Sequence, residues 1–168
     1  MAVAATQHAP TQLELKTMPW KSVYRHRYLV GCNWKKGRCS IKVLKGHANG
    51  ITCLQLDESN RIVITGSYDA TIKVWDTDTG QEIRTLVGHT RGIRALCMDK
   101  SKLFSGALDG SIRLWNWRTG EALSTIDHSS GVITVDFQQD VLVSGSIDGN
   151  IRSETPTSSV LLERERDL

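Results

Sequence analysis

Short apolar stretches separated by polar turns make up most of the chain. Positions in Ile51–Leu56 mostly alternate between apolar and polar, and the segments 61–65 and 70–75 are rich in β-branched residues. Turn-forming sequences such as Asp78-Thr79-Gly80 and Asp109-Gly110 lie between such stretches. Runs of this length bounded by these turns predict short antiparallel strands joined by hairpins, without crossover helices.

The same pattern recurs three times along the chain. Each copy carries a histidine and, further on, a hydroxyl-Gly-x-x-Asp segment, and the first two copies end with a tryptophan. These residues are His47, His89 and His128; Asp69, Asp109 and Asp148; and Trp75 and Trp115. The aspartates are spaced by 40 and 39 residues. A period of this length with Gly-His and Trp-Asp signatures is typical of β-propeller blades, with four strands in each blade.

The two ends of the chain do not follow this pattern. Trp20, Tyr24 and Tyr28 recur at helical spacing, whereas Ile41–Leu44 resembles an outer strand before the first Gly-His. The predicted divisions are 1–18, a disordered or cut end; 19–40, a helical linker; 41–152, the blades; and 153–168, a divergent polar tail.

The third copy is predicted to be an incomplete blade. After Arg152 the repeat should continue with an apolar residue and a tryptophan, but Ser153 and Glu154 stand there. Truncation, alternative splicing and a shifted reading frame would each explain this break. The predicted fold is therefore all-β, with about three propeller blades, the third incomplete, behind a short helical linker.

Composition and charge exclude several classes of protein. A chain of 168 residues with 39% hydrophobic residues can form one ordinary domain with a core. The net charge of +3 is too small by itself to indicate nucleic-acid or membrane binding, and neither partner is predicted. The basic residues between Lys16 and Lys45 have no acidic residue among them. They are interpreted as a solvated helix face and linker in preference to a phosphate-binding patch.

No feature of the sequence calls for a metal, a cofactor or a secretory route. The four cysteines show no ligand spacing and are interpreted as reduced thiols. The first residues lack the charged start and apolar run of a signal peptide, and no apolar run is long enough to span a membrane. A cytoplasmic or nuclear location is therefore expected.

Each copy holds a histidine, a hydroxyl residue and an aspartate, the residue types of a catalytic triad. The sets are His47, Thr65 and Asp69; His89, Ser105 and Asp109; and His128, Ser144 and Asp148. Catalysis needs one exposed nucleophile beside an oxyanion hole, whereas these sets recur in strand positions. We interpret them as structural networks in which the aspartate bonds to the histidine, the histidine to the hydroxyl, and the hydroxyl to the indole N–H of Trp75 or Trp115. No catalytic residue is predicted, and the protein is not expected to be an enzyme.

The repeats closely resemble the WD-repeat family from about Leu44 to Arg152. That resemblance implies a seven- or eight-bladed propeller in the complete protein, which binds other proteins. Upstream, Pro19–Arg27 and Asn33–Gly37 look like the connection between an F-box and its propeller. The segments Asn33–Lys42 and Trp115–Glu121 are most similar to the fungal sulfur-controller subfamily of F-box/WD-repeat proteins.

Members of that subfamily are substrate receptors of Skp–cullin–F-box (SCF) ubiquitin ligases and hold sulfur-assimilation transcription factors for ubiquitination. The resemblance implies that this chain is part of such a receptor and binds protein substrates or degron peptides, with or without phosphorylation. No F-box is visible before Pro19, so binding to SCF components would need an F-box supplied upstream. A WD-repeat scaffold with no ligase role and a non-functional truncated product remain alternatives.

The same resemblance suggests where substrates bind. Receptor relatives place arginines at the second residue after the inter-blade glycine and at the residue before the blade aspartate. The first position holds Thr52, Arg94 and Ile133 here, and the second holds Tyr68, Leu108 and Ile147. Only Arg94 is an arginine. It is expected to lie near Tyr68 and Leu108 in a substrate-binding surface that includes Thr52; the alternative is a solvated charge at a strand end.

Overall fold

The computed structural model describes residues 20–99 and 102–155, and the chain divides into two compact units, residues 1–41 and 42–168. In the first unit, helix α1 spans Trp20–Lys35, and none of its residues is buried. The rings of Tyr24 and Tyr28 stack with their centroids 6.3 Å apart. The predictions made for residues 1–18, and for all but the first residues of 153–168, lie outside the described residues.

The second unit consists of antiparallel strands in three sheets. The first sheet has the order β1-β2-β3-β4, the second β5-β6-β7-β8 and the third β9-β10-β11. The strands are β1 Ile51–Asp57, β2 Ile62–Ser67, β3 Thr71–Asp76, β4 Glu82–Val87, β5 Ile93–Met98, β6 Lys102–Ala107, β7 Ser111–Asn116, β8 Ala122–Asp127, β9 Val132–Gln138, β10 Val141–Ser146 and β11 Ile151–Glu154. We call these sheets the first, second and third blades. The predicted all-β architecture with an incomplete third blade is confirmed.

Polar residues close the hairpins between strands. In the β3–β4 turn, the Asp76 carboxylate accepts hydrogen bonds from the backbone N–H groups of Asp78 and Thr79, at 2.7 and 3.1 Å. Asn116 makes the same pair of contacts in the β7–β8 turn. Short polar side chains that bond to the backbone two or three residues ahead favour turns over continued strand. The sequence repeat therefore places an equivalent turn-forming side chain in each of the first two blades.

Neighbouring blades pack face to face because the period-2 alternation of a strand places apolar side chains on both faces. In β5, Leu96 and Met98 pack in the core shared with the first blade, while Ala95 and Cys97 pack in the core shared with the third. Across the second boundary, the rings of Phe104 and Phe137 stack at 4.6 Å. The apolar core of this unit thus lies between the blades.

Three local predictions from the sequence are wrong. Residues 41–44 form no strand. The equivalent segment after the first blade is β4, which pairs with the third strand of the blade that precedes it in the chain. A strand at 41–44 would likewise need a partner from a blade before the first, which the described residues do not include. Strand β11 continues through Glu154 because its backbone pairs with Leu142 whatever the side chain. Arg61, which strand propensity placed in β2, lies in the preceding turn with a φ of 55°.

Candidate functional site

The histidine, hydroxyl and aspartate of the first blade lie in one hydrogen-bonded chain. His47 Nδ1 is 2.8 Å from Asp69 Oδ2, and His47 Nε2 is 2.8 Å from Thr65 Oγ1. The indole N–H of Trp75 donates to the same Thr65 oxygen at 2.8 Å. The loop before β1 is thereby tied to β2 and β3 of its own blade.

The second blade repeats this chain almost atom for atom. His89 Nδ1 is 2.9 Å from Asp109 Oδ2, and His89 Nε2 is 2.7 Å from Ser105 Oγ. The indole N–H of Trp115 donates to Ser105 Oγ at 2.8 Å. The Ser105 hydroxyl is fully buried and bonded to its neighbours, which is the environment of a structural group and not of an accessible nucleophile.

Burial and hydrogen bonding set the protonation states of His89 and Asp109 in this hydrogen-bonded network. Burial lowers the pKa of His89 below its ordinary value, although the Asp109 carboxylate acts in the opposite direction. For Asp109, burial raises the pKa, but hydrogen bonds from the Thr90 N–H, the Ser111 hydroxyl and His89 outweigh it and lower the pKa to about 2. The pair is therefore a neutral imidazole beside a carboxylate: Nδ1–H donates to Asp109, and Nε2 accepts the Ser105 O–H.

A further hydroxyl in each of these blades was not predicted. Thr71 Oγ1 donates to Asp69 Oδ1 at 2.6 Å, and Ser111 Oγ donates to Asp109 Oδ1 at 2.7 Å. Both residues lie two positions after the blade aspartate. A hydroxyl at that position in two successive repeats is the signal by which the sequence could have identified it.

The third blade departs from the predicted network. Ser144 Oγ is 3.1 Å from His128 Nε2, but Asp148 Oδ2 accepts a hydrogen bond from Ser129 Oγ at 3.3 Å instead of meeting the histidine. Among the described residues, the buried His128 Nδ1 has no hydrogen-bond partner. The expected bond between His128 and Asp148 is therefore wrong.

Two substitutions in the third copy accompany this departure. A Cβ at Gly46 would lie 2.8 Å from Trp75 Cη2, and a Cβ at Gly88 would lie 2.9 Å from Trp115 Cη2. The glycine before each histidine is thus required because the tryptophan packs on it. In the third copy, Asp127 replaces that glycine and Glu154 replaces the tryptophan. Without the tryptophan, the position before the histidine no longer has to be glycine.

Three of the predicted binding residues, Arg94, Tyr68 and Leu108, lie at one rim of the blades, formed by the loops before β5 and β9 and the turns after β2, β6 and β10. A register shift at Arg94 interrupts the β5–β6 ladder; such bulges re-aim a side chain. Arg94 Nη1 donates to Tyr68 Oη at 2.6 Å, and the guanidinium carbon lies 5.8 Å from the ring centroid. The structure thus joins Arg94 of the second blade to Tyr68 of the first.

The other two predicted residues, Thr52 and Leu108, lie at blade boundaries. The Thr52 hydroxyl is half-buried between blades, where the backbone carbonyls of Gly66, at 3.1 Å, and of Ile93 both lie within hydrogen-bond reach of its single O–H. It joins the first blade to the second, and its assignment to substrate binding stays a prediction. Leu108 lies at the next boundary, where its Cα would be 3.3 Å from a Cβ at Gly131 of the third blade.

Neither metal-site nor membrane-span geometry is found in the described ranges. Across residues 20–99 and 102–155, no three His, Cys, Asp or Glu side chains converge as a metal site requires. Within the same ranges, no helix is both long and apolar enough to cross a membrane.

Comparison with known protein families indicates the class of repeat. The family described as "WD domain, G-beta repeat" matches residues 38–76 and 80–116. The first two blades therefore match the model of this repeat, and the predicted WD β-propeller fold is confirmed.

Particular relatives are fungal proteins named "Probable E3 ubiquitin ligase complex SCF subunit sconB". The Aspergillus clavatus protein is 66% identical over 68 residues, which cover 40% of this chain and 9% of that protein. The Aspergillus fumigatus protein is 53% identical over 83 residues, covering 49% of this chain and 12% of that protein. These matches confirm the predicted resemblance to the sulfur-controller subfamily. The matched stretch spans about a tenth of the length of these relatives.

Proposed function

We propose that this chain is a protein-binding module of the substrate-recognition subunit of an SCF E3 ubiquitin ligase. The observation that carries the proposal is its 66% identity to an SCF subunit over 68 residues. In this proposal the blades hold proteins for ubiquitination and perform no chemistry themselves. Regulators of sulfur metabolism are the proposed substrates, by resemblance to the sulfur-controller subfamily.

Arg94 and Tyr68 are the proposed contact residues for substrate. The Tyr68 side chain is largely open, with 47% of the residue exposed, and its hydroxyl holds one Nη of Arg94 in place. A guanidinium carries five N–H donors in a planar fork, so this hydrogen bond leaves others for a carboxylate or phosphate. An arginine ordered by an aromatic ring loses less side-chain entropy on binding than a free one.

Replacing Arg94 tests this surface. In a complete propeller carrying these blades, Arg94→Ala should weaken binding of a phosphoserine-leucine peptide by roughly 1.5–3 kcal/mol, the range for a hydrogen bond to a charged group. Arg94→Lys should recover only part of the loss because an ammonium lacks the planar fork. The measurement is a fluorescence-anisotropy titration of the labelled peptide.

Arg61 provides the matched control. It lies at the opposite rim, where its only described ion pair is an exposed one with Asp78 at 2.6 Å, and its left-handed backbone is tolerated by asparagine. Arg61→Asn should therefore leave peptide affinity unchanged. Equal affinities for wild type and Arg94→Ala would remove Arg94 from the binding surface.

The ligase role needs a separate experiment. The protein is purified from cells by a tag on these blades, and Skp and cullin are detected in the purified material. Their presence, with ubiquitin transfer to a bound protein, supports the receptor. Bound protein without Skp or cullin would identify a scaffold with no ligase role.

A further inference from the structure

The third blade has an uncovered outer edge. In each of the first two blades, a fourth strand, β4 or β8, pairs with the third strand. The third strand of the third blade is β11, and among the described strands it pairs with β10 alone. Ile151, at the start of β11, is 79% exposed, whereas its equivalent in the first blade, Ile72, is fully buried and pairs with Leu86 of β4. The backbone along this edge of β11 can therefore pair with another strand.

The segment 42–45 has the sequence of an outer strand but no blade to pair with. Like β4 and β8, it directly precedes the loop that carries a blade histidine, and alignment on that histidine makes Leu44 equivalent to Leu86. No strand forms at 42–45, and Val43 is largely exposed. The described part of the chain thus contains a blade without an outer strand and an outer-strand sequence without a blade.

The first blade holds this segment where the outer strand of a preceding blade would lie. Lys42 Nζ donates to a backbone carbonyl of the β3–β4 turn at 3.2 Å, and a Cβ at Gly80 of that turn would lie 3.3 Å from Leu44 Cδ2. Strand β4 contacts the second blade in an equivalent way, because a Cβ at Gly120 would lie 2.8 Å from Arg84 Cδ. A three-stranded blade seated on the first blade would therefore meet a fourth strand already in place.

The open sheet faces of the first and third blades match the same arrangement. Leu56 is exposed on the open face of the first blade, and Val143 is partly exposed on that of the third. Their equivalents at the boundary between the second and third blades are Phe137 and Phe104, whose rings stack at 4.6 Å. A third blade placed before a first blade would thus bring Val143 against Leu56, and each would cover the other from water.

We propose that two copies of this chain form a closed ring of six blades, in which the third blade of each copy packs against the first blade of the other. Segment 42–45 of one copy then becomes the outer strand of the other's third blade, with Leu44 opposite Ile151. This is the register in which Leu86 pairs with Ile72.

A second copy is the partner because both complementary surfaces belong to one chain. Contacts between two different surfaces of identical chains produce rings when the rotation closes. Six blades lie within the range of roughly four to eight that propellers adopt. Two identical interfaces would cover both open faces and both open edges of β11. The proposal concerns assembly alone and does not depend on which proteins the blades bind.

The mass of the chain in solution is the first test. Multi-angle light scattering after size-exclusion chromatography of the 168-residue chain should give a single species of twice 18.7 kDa. Deleting residues 156–168 should leave this dimer intact, because its additional strand comes from 42–45. A monomer, a polydisperse aggregate, or loss of the dimer on this deletion would overturn the proposal.

Cross-linking between chains tests the register. One chain carries Leu44→Cys and the other Ile151→Cys, and both carry Cys32→Ser and Cys39→Ser so that these native thiols do not react. Directly opposite residues have Cβ atoms about 4.5–5.5 Å apart, close to the separation in a disulfide. Oxidation after joint refolding from urea should therefore link the two chains. Val43→Cys in place of Leu44→Cys should give no link, because adjacent strand residues lie on opposite faces.

A charge on the open edge should separate the two copies. Ile151→Lys removes no buried contact from the single chain, yet it places an ammonium group opposite Leu44. The dissociation constant of the dimer should rise about tenfold or more, as expected for the loss of a buried aliphatic contact. Ile83→Lys is the matched control: Ile83 is exposed on β4, outside both surfaces, and its replacement should leave the dimer unchanged.

The outcomes leave no intermediate result. A dimer that cross-links between positions 44 and 151 and is weakened by Ile151→Lys supports the six-bladed ring. A dimer that forms without this link, or that Ile151→Lys leaves intact, uses another contact and contradicts it. Either result leaves the Arg94→Ala titration unaffected, because that experiment uses a complete propeller.

Discussion

At the scale of single residues, one buried histidine holds each of the first two blades together. His89 has a side chain that is fully buried, and it lies between Asp109 and Ser105 at 2.9 and 2.7 Å. A buried polar group that loses its partner costs more than the hydrogen bond itself contributes, because no water replaces the partner. The contribution of each residue in this hydrogen-bonded network to stability therefore depends on the presence of the others.

A double-mutant cycle should show this dependence. In a complete propeller carrying these blades, Asp109→Ala leaves the His89 Nδ1–H without an acceptor and should lower the free energy of unfolding by about 1–3 kcal/mol. His89→Ala should cost a comparable amount, and the double variant should cost less than the sum. The measurement is urea denaturation; full additivity would show that the two side chains do not interact.

Stability should also fall as the solution is acidified. The pKa of His89 is lowered by burial, and that of Asp109 is lowered to about 2, so the folded protein binds fewer protons than the unfolded chain. The contribution of His89 is complete above about pH 6.5 and is lost as the pH falls through its folded pKa. That of Asp109 is complete above about pH 4 and is lost toward pH 2.

Urea midpoints between about pH 8 and pH 4 measure the histidine part of this effect. His89→Gln, which does not titrate, should be less stable at pH 8 but should lose less stability on acidification than wild type. Parallel pH profiles for the two proteins would assign the effect to other groups.

At the scale of elements, the third blade shows what the signature residues contribute. Its backbone still forms three strands, and Ser144 still meets His128. Without the tryptophan, the position is occupied by Glu154, whose Oε1 is 3.8 Å from His128 Nε2. The third blade thus forms its strands without the signature glycine and tryptophan, but His128 lacks the bond to aspartate found in the first two blades.

Restoring both residues should rebuild this network. Glu154→Trp alone should be destabilising or neutral, because the Asp127 Cβ would occupy the space that an indole needs, as the contacts at Gly46 and Gly88 show. Adding Asp127→Gly should make the third blade more stable, with the new indole N–H bonded to Ser144. Amide hydrogen exchange of β9 and β10 measures this; protection that rises equally with Glu154→Trp alone would contradict the coupling.

At the scale of the whole blade unit, the first and third blades each present an uncovered apolar face. Leu54 and Leu56 are each 61% exposed, although Leu96, which is equivalent to Leu54, is only 5% exposed against its neighbour. Val141 and Val143 on the third blade are 37% and 38% exposed. A blade is stable when both faces are covered, and open apolar faces favour association.

The 168-residue chain expressed alone should therefore aggregate, or require a partner that supplies further blades. Light scattering after size-exclusion chromatography measures this. Replacing Leu54 and Val143 by lysine should reduce the association because charges on exposed strands oppose edge and face pairing. A monodisperse monomer of the unmodified chain with a cooperative melting transition would contradict the expectation.

The sequence alone determined the repeat, most of the strands, and the histidine, aspartate, tryptophan and first hydroxyl of the networks in the first two blades. These features depend on the alternation of apolar and polar residues, on turn residues and on a period of about 40 residues. The first two are present within each copy, and the third is found by aligning the copies. The positions of His89, Ser105 and Asp109 could be inferred because an equivalent set, with Thr65 in place of the serine, lies one period earlier.

Only the tertiary structure decided what happens between blades. Arg94 and Tyr68 are 26 residues apart, and the Thr52 hydroxyl reaches the carbonyl of a residue 41 positions away. No local pattern encodes such contacts, because each depends on how one blade is placed against the next. The geometry at His128 is likewise a tertiary outcome: which side chains meet there depends on how the loop before β9 lies against β10 and β11, and no single strand's sequence contains that information.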